Sequence, residues 1–434
     1  MNLLDLAYIP VAFITAPWWI GKKRTGWRER FGHTVRLPAV KSGLKGRVLL
    51  HAVSVGEVNA LRHLVPLLCT QAEVVISVTT DTGIARAKEL FASSATIVRY
   101  PLDFSRSVHR FLDAIRPDVI ALVELEIWPN FVSHARSRNI PVCVINGRLS
   151  ARSFKGYSRF KRFFRRYYAQ LSCVHAQDAT YGERFVAMGV DPSKCHISGS
   201  MKWDAAKIED SVSGADRLAL ELGIDRTRPL VVAGSTGPLD QDGAPIGFDG
   251  ANGRALWCEE ALLHAAMPAG VQLLCAPRKP ERFEEAARAL PGCIRRSDHP
   301  KGSAPREVNG DRFLLDTIGE LRAAYALADV VVVGRSFGGL YGSDPVEPIS
   351  LGKPTIIGPS HGDFQFAVDS LASGGGILVR SADQLRESIE SLLRASDARE
   401  NLRNSGREVI RRNQGASSRY ARAVLDMISG TSIP

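Results

Sequence analysis

A chain of 434 residues, 45% hydrophobic and 23% charged, is too long for one ordinary core and too apolar for disorder; two domains of roughly 200 residues each are expected. Lys and Arg total 56 against 45 Asp and Glu, a formal charge of +11, which favours an anionic partner: nucleic acid, an acidic lipid surface or a phosphorylated substrate. The seven cysteines (Cys69, Cys143, Cys173, Cys195, Cys258, Cys275 and Cys293) are scattered with no Cys-x-x-Cys pair, so they read as small core residues of a reducing compartment, not as a disulfide or zinc framework.

The first segment, Leu3 to Ile20, is almost wholly apolar, interrupted by Asp5, Pro10 and Pro17 and closed by Trp18 and Trp19. Lys22, Lys23, Arg24, Arg28 and Arg30 follow it. A cleaved signal peptide carries its positive charge ahead of the apolar run, so that reading fits poorly. A spanning helix held by trailing positive charge and an interfacial anchor seated by the Trp pair both stay open, with a short buried core helix as the alternative. Residues 1–24 are therefore expected to attach the chain to a membrane.

From Arg47 onward, short apolar runs alternate with helical ones. Strands are expected at Val48–Val53, Val74–Thr79, Ile97–Tyr100, Val119–Val123, Val142–Ile145, Cys173–Ala176 and His196–Gly199, with helices such as Ile84–Ala92 and Asp178–Met188 between them. That alternation predicts a mainly parallel sheet. A second series follows at Leu230–Ala233, Val271–Ala276, Phe313–Leu315, Val330–Val333, Pro354–Ile357 and Ile377–Val379, with helices such as Ile318–Ala328 and Gln365–Ala372. Two successive Rossmann-like sheets bind ligands at the carboxyl ends of their strands and are expected to make a cleft between them. The expected domains are 25–207 and 208–415, and the last helical run, Ala416 to Ile428 within 416–434, is expected to return to the first. Gly237–Gly253 and Asp298–Asp311 read as surface loops.

Candidate chemistry lies at the strand ends. In His51-Ala-Val-Ser-Val-Gly-Glu57 the carboxylate stands at the mouth of a helix, where it can take a proton from a hydroxyl or simply complement the helix dipole. Glu124 and Glu126 follow Val119–Val123 at i and i+2, which puts both on one face of an extended ending. One of them can stabilise positive charge on a reacting sugar; the alternative is a helix cap and an Arg partner. Lys202, in Ser198-Gly-Ser-Met-Lys-Trp-Asp204, can hold an anionic substrate or leaving phosphate, or be a plain linker lysine. The second half offers Pro277-Arg-Lys-Pro-Glu-Arg282, Asp316-Thr-Ile-Gly-Glu320, and the glycine-dense Gly334-Arg-Ser-Phe-Gly-Gly339 running into Gly342-Ser-Asp-Pro-Val-Glu-Pro348. Amides at Gly-rich turns and helix starts bind phosphate, and Glu347 can accept hydrogen bonds from a ribose diol, so together these read as a nucleotide-sugar site.

With YPLDF, ELEIWPN, NGRLSARS, SGSMKWD, VVAGST, PRKPERF, LLDTIGEL, VVVGRSFGG and LGKPTIIGP in this order over nearly the whole chain, the sequence resembles the Kdo (3-deoxy-D-manno-octulosonic acid) transferase family of lipopolysaccharide and lipid A synthesis. The resemblance implies an α/β chain of GT-B architecture, two Rossmann-like domains facing across a cleft. It implies an inverting glycosyltransferase that moves Kdo from CMP-Kdo to a hydroxyl of a lipid A precursor, with no metal and no cofactor beyond that donor. The first domain would take the acceptor and the second the CMP-sugar. At matching positions it implies Glu57 as general base and Glu124 and Lys202 as groups that stabilise the transition state. It implies CMP contacts at Pro277 and Arg278, at Ile318, Gly319 and Glu320, and at Asp344, Pro345, Val346 and Glu347. It places the protein at the bacterial inner membrane, catalytic domains on the cytoplasmic side, against a lipid surface of anionic character.

Two stretches depart from the family. Its usual Gly-Gly-His-Asn-Pro-Leu-Glu-Pro here reads Tyr341-Gly-Ser-Asp-Pro-Val-Glu-Pro348, and the stretch after Ser235-Thr236 lacks the family's His and carries the insertion Gly237–Gly253. A carboxylate at Asp344 repels a phosphate unless a cation such as Arg335 or Lys353 pairs with it. Both differences bear on whether Kdo itself is the sugar. The rival enzyme reading is a GT-B transferase using another CMP-ulosonic acid or a UDP-sugar. A basic nucleic-acid-binding protein is the rival from another class, resting on the charge and on a cationic helix Arg152–Arg166 interleaved with Tyr157, Phe160, Phe163 and Phe164. The preferred reading makes those aromatics the helix's core face and turns its Arg and Lys to lipid headgroups, so nucleic acid is not an expected partner.

Overall fold

The computed structural model describes residues 4–6, 8, 10, 25–239, 247–248 and 255–430. The chain forms two compact units, one of residues 1–205 with 413–434 and one of residues 206–412.

In the first unit the apolar runs become seven parallel strands: β1 Arg47–Ala52, β2 Glu73–Val78, β3 Thr96–Arg99, β4 Val119–Val123, β5 Val142–Gly147, β6 Cys173–Ala176 and β7 Cys195–Ile197. Their order is β3-β2-β1-β4-β5-β6-β7, so the strand order reverses at β1 and β4. The two-residue period of a strand sends Val48 and Leu50 of β1 and Val119, Ala121 and Val123 of β4 into one core. Leu49, Ile120 and Leu122 enter the other. Helices Leu64–Cys69, Asp81–Phe91 and Ala416–Ile428 close the first core, and helices Ser105–Ile115, Pro129–Ser137 and Ala179–Met188 the second. With both faces covered, the strands read in sequence as continuous apolar runs.

The C-terminal helix Ala416–Ile428 is held to this unit from both ends of its contact. Tyr420, Val424 and Leu425 lie in the first core. At its start Gly415 offers no side-chain cap, and the carboxylate of Asp204 supplies one, accepting the N–H groups of Gly415 and Ser417, each at 2.6 Å.

The second unit repeats the pattern with β8 Leu230–Thr236, β9 Gln272–Pro277, β10 Ile294–Arg295, β11 Arg312–Leu314, β12 Val330–Val333, β13 Thr355–Ile357 and β14 Leu378–Val379, all parallel in the order β10-β11-β9-β8-β12-β13-β14. Val231, Ala233, Leu273, Cys275, Val330 and Val332 pack one face against helices Glu259–Ala266 and Leu385–Arg394. Every expected strand is present within three residues of its expected bounds. Strand β10 and a small antiparallel ribbon, Gly247–Phe248 with Ala255–Leu256, were not foreseen; two residues carry no readable period. The inserted loop closes at its base, where the Leu239 N–H donates to Trp257 O at 3.2 Å and the Glu259 N–H to Gly237 O at 3.0 Å.

Several expectations need correction. The cationic helix Arg152–Arg166 is two helices, Ala151–Ser158 and Lys161–Tyr168, broken at Arg159 and Phe160. The break lets Tyr157 meet Phe164 edge-on at 4.9 Å, and both pack on the second core, but Phe160 is left 65% exposed and Phe163 37%. Only half of those aromatics form a core face. Arg30 is no headgroup cation: it is buried and donates to the carbonyls of Thr25 and Thr79, with Asp81 3.8 Å away. Most of the apolar segment Leu3–Ile20, with Trp18, Trp19, Lys22, Lys23 and Arg24, lies outside the described residues. Its first turn is tied to the first unit: Asp5 is buried and accepts the Ser105 N–H at 2.9 Å and the Asn130 amide at 3.2 Å. Among the described residues no helix is long and apolar enough to cross a membrane.

Removing the borrowed cap by Asp204→Ala should cost about 1–2 kcal/mol of stability, the usual worth of a helix N-cap. Urea unfolding followed by circular dichroism checks it; an unchanged first transition would show that the helix needs no cap from this loop.

Candidate functional site

Glu57 lies in the first turn of helix Val55–Ala60. Ser54 at the N-cap accepts the Glu57 N–H at 3.3 Å and donates its hydroxyl to Glu57 Oε1 at 2.9 Å, while the Val53 N–H reaches Glu57 Oε2 at 2.7 Å. This is a variant of the capping box, with the carboxylate turned back over the end of β1. Burial pushes the Glu57 carboxyl above its usual range; the bonds from Val53 and Ser54 pull the other way, and the charge of Glu124 adds to the rise. Below it His51 is fully buried, its ring stacked 3.7 Å from that of Tyr100, and burial holds its pKa down at about 3, so it is neutral floor.

Glu124 follows β4 in the left-handed region, φ +62. Such a conformation costs a residue with a Cβ about 1 kcal/mol or more and is kept where the surroundings impose it. Here they do: the Glu124 N–H donates to Ile145 O and the Arg148 N–H to Glu124 O. The extended ending that would place Glu124 and Glu126 on one face is therefore absent. The two still act on each other: burial pushes Glu126 up to about 7, the Trp128 indole opposes at 2.9 Å, and the charges of Glu57 and Glu124 add to the rise. Glu126 does not cap the next helix. Asp103 does, accepting the N–H groups of Asn130 at 3.0 Å and Phe131 at 2.8 Å. Three carboxylates thus gather at the carboxyl edge of β1 and β4. Lys202 is exposed on a loop secured elsewhere: the Met201 N–H donates to Asn146 Oδ1 at 3.1 Å, and Trp203 is buried.

In the second unit Arg278, Asp344 and Glu347 all act electrostatically on the buried Tyr325, which brings them to one end of the sheet. The Arg278 N–H donates to Thr236 O at 3.0 Å. Pro277 ends β9, and Pro345 and Val346 open helix Val346–Ser350. Asp344 Oδ1 accepts the Val346 N–H at 2.9 Å, a role that needs only an oxygen at that position, so an Asn fills it equally well. Burial raises the Glu347 carboxyl, with Arg322 opposing from 3.7 Å. Ile318 is 74% exposed and Gly319 has φ +101.

The Glu320 carboxylate is engaged internally. The Arg296 guanidinium donates to it at 2.9 and 2.7 Å and also pairs with Glu221 at 2.8 Å, while Thr317 adds a bond at 2.9 Å. Asp316 is held in the same way by Arg295 at 2.8 Å and by the N–H and hydroxyl of Ser297. The loop 316–320 is therefore a rigid shelf, and what it offers a ligand is backbone and the Ile318 side chain. Arg295 and Arg296 were missed because the two-residue strand that ends at Arg295 and the short turn that starts at Arg296 carry no readable period.

The glycine-dense turn Gly334–Gly339 corrects the phosphate reading. The N–H groups of Arg335, Ser336 and Phe337, with that of Gly237, all donate to the buried carboxylate of Glu259. These amides already hold an anion. Burial, with the charge of Glu260 adding to it, pushes Glu259 up to about 7 against the bonds from Arg335, Phe337 and Gly237. Glu260 beside it accepts the Thr236 hydroxyl at 2.6 Å and pairs with Arg282 at 3.2 Å. The sequence signal was present, two adjacent carboxylates opening a helix, but nothing in spacing says which amides they meet. Among the described residues no group of three or more His, Cys, Asp or Glu side chains is arranged to hold a metal.

The family described as 3-Deoxy-D-manno-octulosonic-acid transferase (kdotransferase) matches residues 25–205. A 3-deoxy-D-manno-octulosonic acid transferase of Haemophilus influenzae is 33% identical over 381 residues, covering 86% of this chain and 85% of that protein. One of Bordetella pertussis is 31% identical over 410 residues, covering 92% and 91%. Among solved structures, a glycosyltransferase of Rickettsia africae aligns over 90% of this chain and 100% of its own with a TM-score of 0.58 at 11% identity. Anabaena HepE, solved in complex with UDP, aligns over 88% and 100% with a TM-score of 0.59 at 12% identity. At such identities the likeness is one of fold.

Arg296→Met would leave Glu221 and Glu320 without their shared cation, at an expected cost of about 3–5 kcal/mol, since Glu221 is buried. Burial pushes Glu221 up, but the Gly302 N–H, Arg217 and Arg296 outweigh it and hold it at about 2. A depressed carboxyl stabilises fully above its unfolded value of about 4.5 and loses that contribution as the pH falls toward 2. Denaturation at pH 7 and pH 3 should therefore show a difference between wild type and variant that shrinks at the lower pH.

Proposed function

Because this chain belongs to the 3-deoxy-D-manno-octulosonic acid (Kdo) transferase family, we propose that it moves Kdo from CMP-Kdo to a hydroxyl of a lipid A precursor with inversion at the anomeric carbon. The observation that carries the mechanism is Glu57: a carboxylate at a strand end, held by its own helix cap and made more basic by burial and by Glu124. It takes the proton of the acceptor hydroxyl as that oxygen bonds to the anomeric carbon, and the bond from that carbon to the phosphate oxygen breaks, its electron pair leaving with CMP. Positive charge grows on the sugar in an oxocarbenium-like transition state, and Glu124 answers it. Lys202 balances the negative charge of the departing phosphate.

CMP is bound by the second unit, with Arg278, the backbone of Ile318, Gly319 and Glu320, and the segment Asp344, Pro345, Val346 and Glu347, where Glu347 takes the ribose hydroxyls. The Asp344 side chain supports this reading despite the family's Asn, since its oxygen is spent on the Val346 N–H. Residues 1–24 attach the chain to the cytoplasmic face of the bacterial inner membrane. Helices Ala151–Ser158 and Lys161–Tyr168 support that placement: between 151 and 168 there are seven Arg and Lys and no Asp or Glu, with Phe160 and Phe163 exposed among them. Basic side chains near an anionic surface contribute about 1 kcal/mol each, and exposed aromatics seat at the headgroup level.

Transfer from CMP-Kdo to a tetra-acylated lipid A precursor, read by mass spectrometry, tests the reaction directly. Glu57→Gln should lower the rate by about 10²–10⁴, the usual worth of a general base. Activity needs the ionised base, so wild-type rate should fall as the pH drops through a value above the ordinary 4.5, and that limb should vanish in the variant. Product from a UDP-sugar and none from CMP-Kdo would overturn the donor assignment. Separately, the double change Phe160→Ser and Phe163→Ser should weaken co-sedimentation with phosphatidylglycerol vesicles several-fold, about 1 kcal/mol or more of lost apolar burial. Equal binding by wild type and variant would move the membrane contact elsewhere.

A further inference from the structure

Around β8 the second sheet reverses its strand order, with β9 on one side and β12 on the other, and a doubly wound sheet opens its ligand crevice at such a point. Two segments meet at the carboxyl ends there, 235–237 at the irregular end of β8 and the loop 334–339 after β12. Glu259, the first residue of helix Glu259–Ala266, lies wholly buried between them. Its Oε2 accepts the N–H groups of Gly237 at 2.8 Å and Arg335 at 2.6 Å; its Oε1 accepts those of Ser336 at 2.9 Å and Phe337 at 3.2 Å. Convergent backbone N–H groups form a nest for an anion, and the anion here is the protein's own.

The backbone of both segments is bent. Ser235 and Arg335 both take φ +58, a conformation that residues with a Cβ hold only under constraint. A Cβ on Gly334 would come within 2.8 Å of Glu259 Oε2 and 2.6 Å of Thr236 Cα, so the absence of a side chain there lets the two loops close on the carboxylate. Glu260 extends the clamp: it accepts the Thr236 hydroxyl at 2.6 Å and both terminal nitrogens of Arg282 at 3.2 Å, while Thr236 O accepts the Arg278 N–H. One pair of adjacent carboxylates therefore joins the loop that carries Arg278 to the loop that follows β12.

We propose that Glu259 is a positioning residue for the nucleotide-sugar donor, an internal anion that sets the conformation of the β8 end, 235–237, and of the loop 334–339 before the donor arrives. The proposal rests on the reading of the second unit as the donor-binding unit. A glutamine at this position has the shape of Glu259 but only one oxygen to accept with, and its NH2 faces N–H groups that are donors themselves. Half of the nest is then opposed, with no change of volume.

The test uses the full chain, with CMP binding by calorimetry beside transferase kinetics. Glu259→Gln should raise the Kd for CMP and the KM for CMP-Kdo by about tenfold, the order of one or two lost bonds to a charged group, and leave kcat within about twofold. In Glu259→Ala, sodium formate should restore CMP affinity where equal sodium chloride does not, because formate can refill the nest. If the alanine variant does not fold, the glutamine variant carries the result through its split between KM and kcat. A folded Glu259→Gln with unchanged Kd and KM overturns the proposal, as does a parallel loss of kcat and donor affinity that formate leaves untouched. Failure of the wild type to bind CMP overturns the donor reading together with it, which separates the two failures.

Discussion

Parallel strands that end and helices that begin leave backbone N–H groups with no partner of their own kind, and inside a protein each must find an acceptor. In this chain carboxylates borrowed from other segments answer that need again and again. Asp118 receives the Arg47 N–H at the start of β1, and Asp329 the Leu230 N–H at the start of β8. Asp103 caps the helix after β4, Asp204 caps the C-terminal helix, and Glu259 receives four amides at once. A carboxylate bonded to a backbone amide fixes two stretches of chain together with directional bonds, and most of these stretches lie far apart in sequence. The loops at the strand ends are shaped by such ties more than by apolar contact.

Glu57 belongs to the same population and differs in what it faces. It satisfies Val53 and Ser54 as a capping residue does, and it also keeps company with Glu124 and Glu126, whose charges disfavour its own. The dull reading of this residue and the catalytic one are therefore compatible: the cap holds the carboxylate in place, and the like charges beside it make it a better proton acceptor. A group that serves as both cap and base is hard to replace without loosening the turn.

The sheets were legible because a strand covered on both faces is a continuous apolar run of four to seven residues, as β4 and β12 are, and because short runs separated by helices leave few topologies. Glu57 and Glu124 were legible as positions, since a carboxylate just past an apolar run lies at the ligand-binding edge of the sheet. What could not be read was each side chain's partner. The turn Gly334–Gly339 has the composition of an anion-binding nest and is one, but composition cannot say that Glu259, about 75 residues earlier in the chain, fills it. The left-handed turn at Glu124 was hidden for a related reason, because bonds from Ile145 and Arg148 impose it and no local propensity does. Phe160 misled because its helix breaks where a helical period was assumed to continue.

The insertion after β8 leaves through a sealed neck. Gly237 gives its N–H to the Glu259 carboxylate and takes the Glu259 N–H on its carbonyl, and Leu239 is bonded across to Trp257. The two ends of the insertion are thus fastened side by side whatever lies between them, and lengthening a loop whose ends are already joined adds only about 0.6 kcal/mol of closure entropy for each doubling. A reporter spliced in between Leu239 and Trp257 therefore meets this neck before it meets the end of β8.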